Sequence, residues 1–370
     1  MKILVSDDVS MKGVDLLREN GYEVDVKKNL DEQGLIDCIG EYDGLITRSM
    51  THVTEKVIEA ATKLKVIGRA GVGVDSIDLK SATARGIVVV NTPTSNTLAA
   101  TEHTCAMIMA ITRHIPQAHN SLIASNWDRK TFTGIKIQNK TIGIIGVGRI
   151  GSRIAKRMQA MEMKTIGYDP YIPEERFKQL GVEQVDLDTL LKRSDYITMH
   201  TPLTKETRGL IGKEEIAKMK DGVRVINVSR GAVLDIYALA EALKSGHDDG
   251  PAIDVFPTEQ LRKDINPCMD NVVITPHLGA STVEAQIGVS VDVAEGVMEA
   301  LKGEPVATAV NMAPVPPNVY NVIHPYFDLM ERMGNLAVYL ADAPMKEIEV
   351  EYTSELADTE TRLLTMVVLK

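Results

Sequence analysis

The segment from residue 140 to residue 169 constrains the fold more than any other, because it joins an apolar run, a glycine-spaced turn, an amphipathic stretch and an acid. The run from Lys140 to Ile145 is typical of a buried strand. It leads into Gly146-Val147-Gly148-Arg149-Ile150-Gly151. These glycines would allow a tight turn, a close approach of a pyrophosphate to the backbone, and close packing of the following helix. The segment therefore predicts a dinucleotide-binding βαβ unit.

A helix expected from about Ser152 to Met161 would offer its N-terminal amides to the phosphates. The next predicted strand, 164–168, ends at Asp169, where a carboxylate can accept hydrogen bonds from the ribose hydroxyls and would repel a 2′-phosphate. The predicted cofactor is therefore NAD rather than NADP. We expect it to contact the turn, this acid and the loops after later strands, at Gly146, Gly148, Arg149, Ile150, Gly151, Asp169, Thr201, Pro202, Ser229, Asp254, Gly279 and Ala280.

The bulk properties exclude several classes of partner. A chain of 370 residues is too long for one core, so more than one domain is expected. The net charge of −10 and the sequence pI of about 5.4 disfavour nucleic acid and leave no basic face for a membrane. The N-terminus does not have the pattern of a signal peptide. The cysteines are odd in number, far apart and without metal-ligand spacing, so we expect a cytoplasmic protein with reduced thiols and no metal.

Apolar strand candidates alternate with helical stretches along most of the chain, which predicts the α/β class. One series of strands is expected near 2–6, 22–26, 43–47, 65–69 and 87–90. A second series is expected near 141–145, 164–168, 195–199, 223–228, 251–255 and 271–275. Two such series predict two doubly wound parallel-sheet domains, a flavodoxin-like substrate domain and a Rossmann NAD domain.

Two long helical stretches, from Asn96 to about Ala124 and from Thr282 to Lys302, would connect these domains. If the second helix returns to the first domain, the substrate domain is discontinuous, with residues 1–95 and 282–311, and the NAD domain spans 96–281. Prolines after Gly303 mark a linker, and 312–370 would form a short α+β extension with a helix near 326–340 and a strand near 346–352. Its apolar end predicts either an element that continues beyond residue 370 or a partner that covers this end.

Three polar residues follow successive predicted strands of the second series, where open α/β sheets place their ligands. Arg230 could bind a carboxylate with two parallel hydrogen bonds. His277 paired with Glu259 could act as a general base, because a carboxylate fixes one ring nitrogen and stabilises the imidazolium. His200 also follows a strand and is a rival base, although no acid follows it closely and a place in the cofactor wall is preferred. Asp254 is expected to cap a strand end or to touch the nicotinamide amide.

The first series of strands supplies two further arginines. Arg48 and Arg69 each end a predicted strand, and two guanidinium groups would suit a second anionic group such as a phosphate. The alternative is a pair of solvated surface cations. Gly71 lies in a turn that lacks the third glycine of a dinucleotide motif, so we interpret it as backbone that makes room for substrate. Trp127, in a polar loop, is expected to pack against its own core or a neighbouring subunit.

Residues 1–311 resemble the D-isomer-specific 2-hydroxyacid dehydrogenases, and within them the branch that acts on D-3-phosphoglycerate. The matching segments are residues 68–75, 96–104, 146–151, 227–231, 254–259 and 276–282. The resemblance implies Arg230 as the binder of the substrate carboxylate, His277 as acid and base, and Glu259 as its partner. It further implies that substrate contacts Arg48, Ser49, Arg69 and Asn96, and that a loop with Arg129 and Lys130 lends a cation to the phosphate site of an adjacent subunit. The tail resembles the beginning of the regulatory region of longer members, which implies a truncated regulatory domain in 312–370.

The activity implied is NAD-dependent oxidation of D-3-phosphoglycerate to 3-phosphohydroxypyruvate, at the start of L-serine synthesis, in a homodimer or homotetramer. Two alternatives stay open at this point. One is a reductase for hydroxypyruvate, glyoxylate or another 2-oxo acid, for which Arg48 and Arg69 would matter little. The other is a corepressor-like protein that binds NADH and a partner peptide without appreciable turnover.

Overall fold

The computed structural model describes residues 1–245, 250–257, 271–304, 306–312, 319, 322–341, 348–356, 359 and 361–368. Within these ranges the chain separates into two compact units. Unit 1 comprises Met1–Pro93 with Ile287–Lys370, and unit 2 comprises Thr94–Gln286. No helix in the described ranges is long and apolar enough to cross a membrane.

Unit 1 contains a parallel sheet whose strands lie in the order β2-β1-β3-β4-β5. This is the flavodoxin-like order. The strands are β1 (Lys2–Val5), β2 (Glu23–Val26), β3 (Gly44–Thr47), β4 (Val66–Arg69) and β5 (Val88–Asn91). The helices between them are α1 (Met11–Glu19), α2 (Glu32–Ile39), α3 (Glu55–Ala60) and α4 (Leu79–Ala84). The predicted first series of strands is confirmed.

Both faces of this sheet are apolar, since buried parallel strands carry hydrophobic side chains on each side. One core contains Ile3, Ile46 and Val66. The helix α12 (Val283–Lys302) packs on that face, where an added Cβ at Gly68 would lie 2.6 Å from Cγ2 of Val297. The absence of a side chain at Gly68 therefore lets the helix approach the strand closely.

Unit 2 contains a parallel sheet in the order β12-β11-β10-β9-β6-β7-β8. This is the doubly wound Rossmann order with one further strand. The strands are β6 (Thr141–Ile145), β7 (Lys164–Tyr168), β8 (Glu183–Gln184), β9 (Tyr196–Met199), β10 (Arg224–Asn227), β11 (Ala252–Ile253) and β12 (Val273–Ile274). The predicted second series is confirmed. Strand β8 was not predicted, because it is two residues long and both residues are exposed.

The helices of unit 2 cover both faces of this sheet. They are α5 (Thr97–Thr112), α6 (Ile115–Ile123), α7 (Arg149–Ala160), α8 (Glu174–Leu180), α9 (Leu187–Arg193), α10 (Lys213–Ala217) and α11 (Ile236–Ser245). Adjacent residues of β6 point to opposite faces of the sheet, so Ile144 belongs to one hydrophobic core and Ile145 to the other. Burying each isoleucine side chain stabilises the fold by roughly 1.5–3 kcal/mol.

The single helix expected over 96–124 is two helices, α5 and α6. The break is at His114, whose φ of 52° is left-handed and cannot continue a right-handed helix. Pro116 then occupies the first turn of α6, where its missing amide hydrogen costs nothing.

The C-terminal segment has a small core of its own around Ile323, Met330, Leu356 and Leu364. Its helices are α13 (Phe327–Leu340) and α14 (Arg362–Val368), and they pack closely at Gly334, where an added Cβ would lie 2.0 Å from the carbonyl oxygen of Val368. The predicted helix near 326–340 is confirmed. The predicted strand near 346–352 is wrong over 348–352, the part of it that the structure describes.

Candidate active site

The glycine turn between β6 and α7 has the geometry that a dinucleotide requires. Gly146 has a φ of 87°, and a Cβ there would lie 2.7 Å from the carbonyl oxygen of His200 in the loop after β9. A Cβ at Gly151 would lie 2.1 Å from the carbonyl oxygen of Gly146, so the helix begins against the turn itself. A Cβ at Gly148 would meet nothing within 4 Å, which leaves the backbone open to a ligand.

Asp169 lies beside this turn, directly after β7. Its Oδ2 accepts a hydrogen bond from the amide of Val147 at 2.9 Å, and its Oδ1 accepts one from the amide of Tyr171 at 3.0 Å. Thr201 also borders the turn, because its Cγ2 would lie 3.0 Å from a Cβ at Gly146, and its buried hydroxyl has no hydrogen-bond partner. A fixed acid, an open glycine and an unsatisfied hydroxyl fit the ribose and pyrophosphate of NAD.

The other residues expected at the cofactor follow the carboxyl ends of strands in the same sheet. They are Arg149 and Ile150 at the start of α7, Pro202 after β9, Ser229 after β10, Asp254 after β11, and Gly279 and Ala280 after β12. The carboxyl ends of parallel strands share one edge of the sheet, which places all of these residues on the ligand-binding edge.

The loops after β10, β11 and β12 pack directly against one another. A Cβ at Gly231 would lie 2.0 Å from the carbonyl carbon of Phe256, and a Cβ at Gly279 would lie 2.9 Å from Cγ1 of Val228. The loop that carries Arg230 therefore contacts the loop after β11, and the loop that carries His277 contacts both. Within the loop after β10, Oδ1 of Asn227 accepts hydrogen bonds from the amide and the hydroxyl of Ser229.

Asp254 is fully buried at the centre of these loops. Its carboxylate accepts hydrogen bonds from the hydroxyl of Thr275 at 2.5 Å, from the amide of Leu278 at 2.7 Å and from the amide of Gly279 at 2.9 Å. His103 on α5 places Nε2 3.2 Å from Oδ1 of the same carboxylate. Burial raises the pKa of this carboxyl, but the hydrogen bond from His103 and those from the loop outweigh it, so the pKa lies below its usual value.

His277 is exposed, and its backbone has a φ of 56°. A non-glycine residue adopts this left-handed conformation at a cost of about 1–2 kcal/mol, and the surrounding structure must hold it there. The amide of His277 donates to the backbone oxygens of Asp254 at 2.9 Å and Thr275 at 3.1 Å. Glu259, expected to pair with the imidazole, lies outside the described residues.

His200, the rival base, lies in a different electrostatic environment. Its Nε2 is 2.8 Å from the hydroxyl of Thr198, and burial lowers the pKa of its imidazole to about 3. At neutral pH the ring is therefore uncharged and a poor proton acceptor. Its backbone oxygen lies against Gly146, in agreement with the interpretation of this loop as cofactor wall.

In unit 1, the loop that carries Arg48 and Ser49 follows β3 and is held by a buried acid. Asp7, which is 5% exposed and follows β1, accepts hydrogen bonds from the hydroxyl of Thr47 at 3.1 Å, from the amide of Thr51 at 3.3 Å and from the amide of Arg48. Strands β1 and β3 are neighbours at the switch point of the sheet, where doubly wound domains place ligands.

Arg69 ends β4, and its strand position is opposite Thr47 on β3. Its Nη1 donates to the backbone oxygen of Ala70 at 2.9 Å and would lie 2.8 Å from a Cβ at Gly71. Gly71 has a φ of 153°, and its missing side chain makes room for the Arg69 guanidinium. In this structure the lack of a side chain at Gly71 leaves space for the Arg69 guanidinium, and the expected contact of Gly71 with substrate stays a prediction.

The remaining substrate residues belong to unit 2. Asn96 precedes α5, and its buried Oδ1 has no hydrogen-bond partner. Arg129 and Lys130 are exposed in a loop turned by Asp128, whose carboxylate accepts hydrogen bonds from the amides of Lys130 and Thr131. Trp127 is 80% exposed, so it does not pack against its own core, which was one of the two expectations for it.

Sequence reasoning did not identify Asp7 or His103 as functional residues. Asp7 carried a usable signal, since it is a carboxylate just after a buried strand, like Asp169 and Asp254. His103 lies in the matching segment 96–104, but no local pattern indicated its contacts, because it lies inside a helix and its partners are 172 and 151 residues away in sequence.

Comparison with known proteins agrees with this geometry. Residues 105–279 match a family model described as D-isomer specific 2-hydroxyacid dehydrogenase, NAD binding domain. Residues 322–370 match one described as D-3-phosphoglycerate dehydrogenase intervening domain. The D-3-phosphoglycerate dehydrogenase of Archaeoglobus fulgidus is 45% identical over 372 residues, which span 100% of this chain and 70% of that protein. The one from Synechocystis is 46% identical over 370 residues, which span 100% of this chain and 67% of that protein.

A solved structure extends the likeness to the fold. The D-lactate dehydrogenase of Aquifex aeolicus, complexed with NAD and lactic acid, is 30% identical, with a TM-score of 0.74 over 82% of this chain and 96% of that chain. The NAD-binding domain model, the dehydrogenase fold and the longer relatives that match the whole of this chain agree with one another. The chain therefore belongs to the D-3-phosphoglycerate dehydrogenase family, within the NAD-binding D-isomer specific 2-hydroxyacid dehydrogenases.

Proposed function

We propose that this chain oxidises the C2 hydroxyl of D-3-phosphoglycerate to give 3-phosphohydroxypyruvate, the first step of L-serine synthesis. The observation that carries the proposal is the direct packing of the Arg230 and His277 loops on the edge of the sheet that bears the glycine turn. The relatives that match the whole chain are named for this reaction. The glycine turn and Asp169 would hold NAD, which would supply the hydride acceptor for the reaction.

In this mechanism the guanidinium of Arg230 binds the substrate carboxylate through parallel hydrogen bonds. His277 accepts the proton of the C2 hydroxyl. As the O–H bond breaks, its electron pair forms the C=O bond, and the C2 hydrogen leaves with the electron pair of the C–H bond. Two electrons and one proton leave C2 with the hydride, and the second proton stays on the imidazole. Glu259 is proposed to stabilise that imidazolium, on the strength of the family resemblance.

The choice of His277 over His200 as the base can be tested by substitution. Because burial holds the pKa of His200 at about 3, this imidazole does not titrate near neutral pH. We expect His200→Gln to leave the neutral limb of the pH–rate profile in place, whereas His277→Gln should lower kcat by about 100-fold or more. Loss of the neutral limb in His200→Gln, with the limb kept in His277→Gln, would reverse the assignment.

The phosphate of the substrate is proposed to bind Arg48 and Arg69, with Ser49, Gly71 and Asn96 as further contacts. The sharpest test compares substrates with and without phosphate. Arg48→Ala and Arg69→Ala should each raise KM for 3-phosphoglycerate about tenfold or more, because a charge-assisted hydrogen bond is lost. The rate with glyoxylate as substrate, followed by NADH fluorescence, should change much less.

Lys80→Ala is the matched control, since it removes an exposed cation from α4 of the same unit. Lys80→Ala should leave both KM for 3-phosphoglycerate and the rate with glyoxylate unchanged. Equal losses on the two substrates in the Arg48 and Arg69 variants would favour a reductase of unphosphorylated 2-oxo acids. No turnover with any substrate, together with tight NADH binding, would favour a binding protein.

A cytoplasmic homo-oligomer is part of the proposal. The exposed apolar residues of α6 and the following loop supply the observation, with Ile115 54%, Leu122 56%, Ile123 74% and Trp127 80% exposed. Large exposed apolar patches mark interaction sites. A second copy covering Trp127 would bring Arg129 and Lys130 towards its own phosphate site. In sedimentation experiments the unsubstituted chain should form an oligomer, and Trp127→Ala should dissociate more readily. If both proteins sediment as monomers, the proposal of a homo-oligomer is wrong.

The functional domains are proposed to follow the sequence boundaries, with substrate binding in 1–95 and 282–311, NAD binding in 96–281, and a C-terminal extension in 312–370. The division of the chain into two compact units, with unit 2 comprising Thr94–Gln286, supports this proposal.

A further inference from the structure

His103 lies in the middle of α5, and its imidazole contacts the loop after β12. Its Nε2 is 3.1 Å from the hydroxyl of Thr275 and 3.2 Å from Oδ1 of Asp254. The side chain is 19% exposed, whereas that of Asp254 is fully buried. A buried carboxylate next to a histidine ring nitrogen makes a charge-assisted pair, which is among the stronger hydrogen bonds in proteins.

The same carboxylate is bonded to the segment that carries His277. It accepts the amides of Leu278 and Gly279, the two residues that follow the histidine. The backbone oxygen of Asp254 accepts the amide of His277 itself. Asp254 therefore connects α5 on one side with the backbone on both sides of the His277 Cα on the other.

The left-handed backbone of His277 makes this connection consequential. Such a conformation persists where several contacts determine it together. Loss of one donor from a fully buried carboxylate leaves an acceptor site uncompensated. The carboxylate can then regain a partner only by shifting towards another donor, and such a shift would move the amides of Leu278 and Gly279.

We propose that His103 is a positioning residue for the acid–base histidine, acting through Asp254 on the 275–279 loop. It touches neither substrate nor cofactor in this role. The kinetic part of the inference rests on the function proposed above. The structural part, that the helix histidine fixes the loop, does not depend on which substrate is used.

The test compares three variants. His103→Leu keeps a good helix former and removes the donor, whereas His103→Gln keeps an N–H group that can reach Asp254. Tyr196→Phe is the control, because it removes a different side-chain hydrogen bond between α5 and the sheet, the one between the hydroxyls of Tyr196 and Thr112 at 3.0 Å. Thermal melting establishes that each variant is folded at the assay temperature.

Two quantities are measured on the full chain, kcat with 3-phosphoglycerate and the hydrogen-exchange rate of the peptide that contains Leu278 and Gly279. In His103→Leu we expect a fall in kcat of about tenfold and exchange faster by a similar factor. His103→Gln should restore most of both. Tyr196→Phe should lower the melting temperature and leave kcat and the exchange of this peptide unchanged.

Unchanged kcat or unchanged exchange in His103→Leu would overturn the inference. An equal loss in Tyr196→Phe would also overturn it, because the effect would then reflect general loosening of α5. If the unsubstituted chain shows no turnover, the proposed function is wrong, and the exchange rates alone decide whether His103 holds the loop.

Discussion

Each of the two units has a buried aspartate whose carboxylate accepts hydrogen bonds from a neighbouring loop, but the two loops carry different functional residues. Asp7 follows β1 and accepts the Thr47 hydroxyl and two amides of the loop after β3. Asp254 follows β11 and accepts the Thr275 hydroxyl and two amides of the loop after β12. In both cases a carboxylate after one parallel strand fixes the loop after its neighbour.

The difference is the histidine. Asp254 also contacts the His103 imidazole on α5. The described hydrogen bonds of Asp7 come only from the end of β3 and the loop that follows it. The loop in unit 2 carries the proposed acid–base residue, and the loop in unit 1 carries a proposed binding arginine. A proton-transfer group must be held more closely than a flexible, long-range charge, because proton transfer depends on hydrogen-bond distance.

The largest effect should follow Asp254→Asn. The NH2 group of the asparagine would face a backbone N–H, so the amide of either Leu278 or Gly279 loses its acceptor and the loop that carries His277 is held less firmly. We expect kcat to fall roughly 100-fold and the free energy of unfolding to fall by about 3 kcal/mol, as for a broken buried pair. Turnover and urea unfolding measure the two.

Asp186→Asn is the control for that substitution, since Asp186 is an exposed helix cap in the same unit. It should cost about 1 kcal/mol or less and leave kcat unchanged. If Asp254→Asn is destabilised but keeps its full kcat, then Asp254 and Asp186 differ only in how much each stabilises the fold, and Asp254 has no role in turnover.

Asp7→Asn should have a smaller effect, of a different kind. An asparagine keeps one acceptor oxygen but loses the negative charge, so the hydrogen bonds from the Thr47 hydroxyl and the loop amides weaken. The arginine loop is then held less well, and binding suffers more than chemistry. We expect KM for 3-phosphoglycerate to rise about tenfold, with kcat and the dissociation constant of NADH nearly unchanged. A fall in kcat with KM preserved would remove the contrast between the two units.

A matched pair of threonine variants sharpens the contrast further. Thr47→Val and Thr275→Val each remove one hydroxyl donor from a buried carboxylate while keeping a branched side chain. Thr47→Val should lower the free energy of unfolding by about 1 kcal/mol. Thr275→Val should lower the free energy of unfolding by more than Thr47→Val does, because the Thr275 hydroxyl also contacts His103. Equal losses, measured by urea unfolding, would mean that the histidine contact adds nothing.

The smallest effect concerns pH. Hydrogen bonds hold the pKa of folded Asp254 below the unfolded value of 3.8, so the folded state favours the ionised carboxylate. Its stabilisation is therefore complete above the unfolded pKa and is lost as the pH falls through the folded pKa. The difference in unfolding free energy between the unsubstituted chain and Asp254→Asn should be constant near neutrality and shrink below about pH 3.8. A difference that grew on acidification would contradict the sign of the shift.

Much of the fold followed from local patterns. The strands of both sheets lie where alternation of apolar runs and helical stretches predicted them, because the buried strands of a parallel sheet must be continuously apolar. The break at His114 was not predictable in this way, since a left-handed residue between two apolar helices leaves the hydrophobic pattern unchanged. Strand β8 was missed because its residues are exposed and carry no apolar signal.

The candidate site divides along the same line. The amino-acid sequence alone determined the glycine turn and Asp169, because their spacing within one βαβ unit is set by the lengths of a strand and a helix. The packing of the Arg230 and His277 loops and the partners of Asp7 and Asp254 depend on which strands are neighbours. That order was decided by the tertiary structure. Contacts such as His103 to Asp254 join residues 151 positions apart, and no local propensity encodes them.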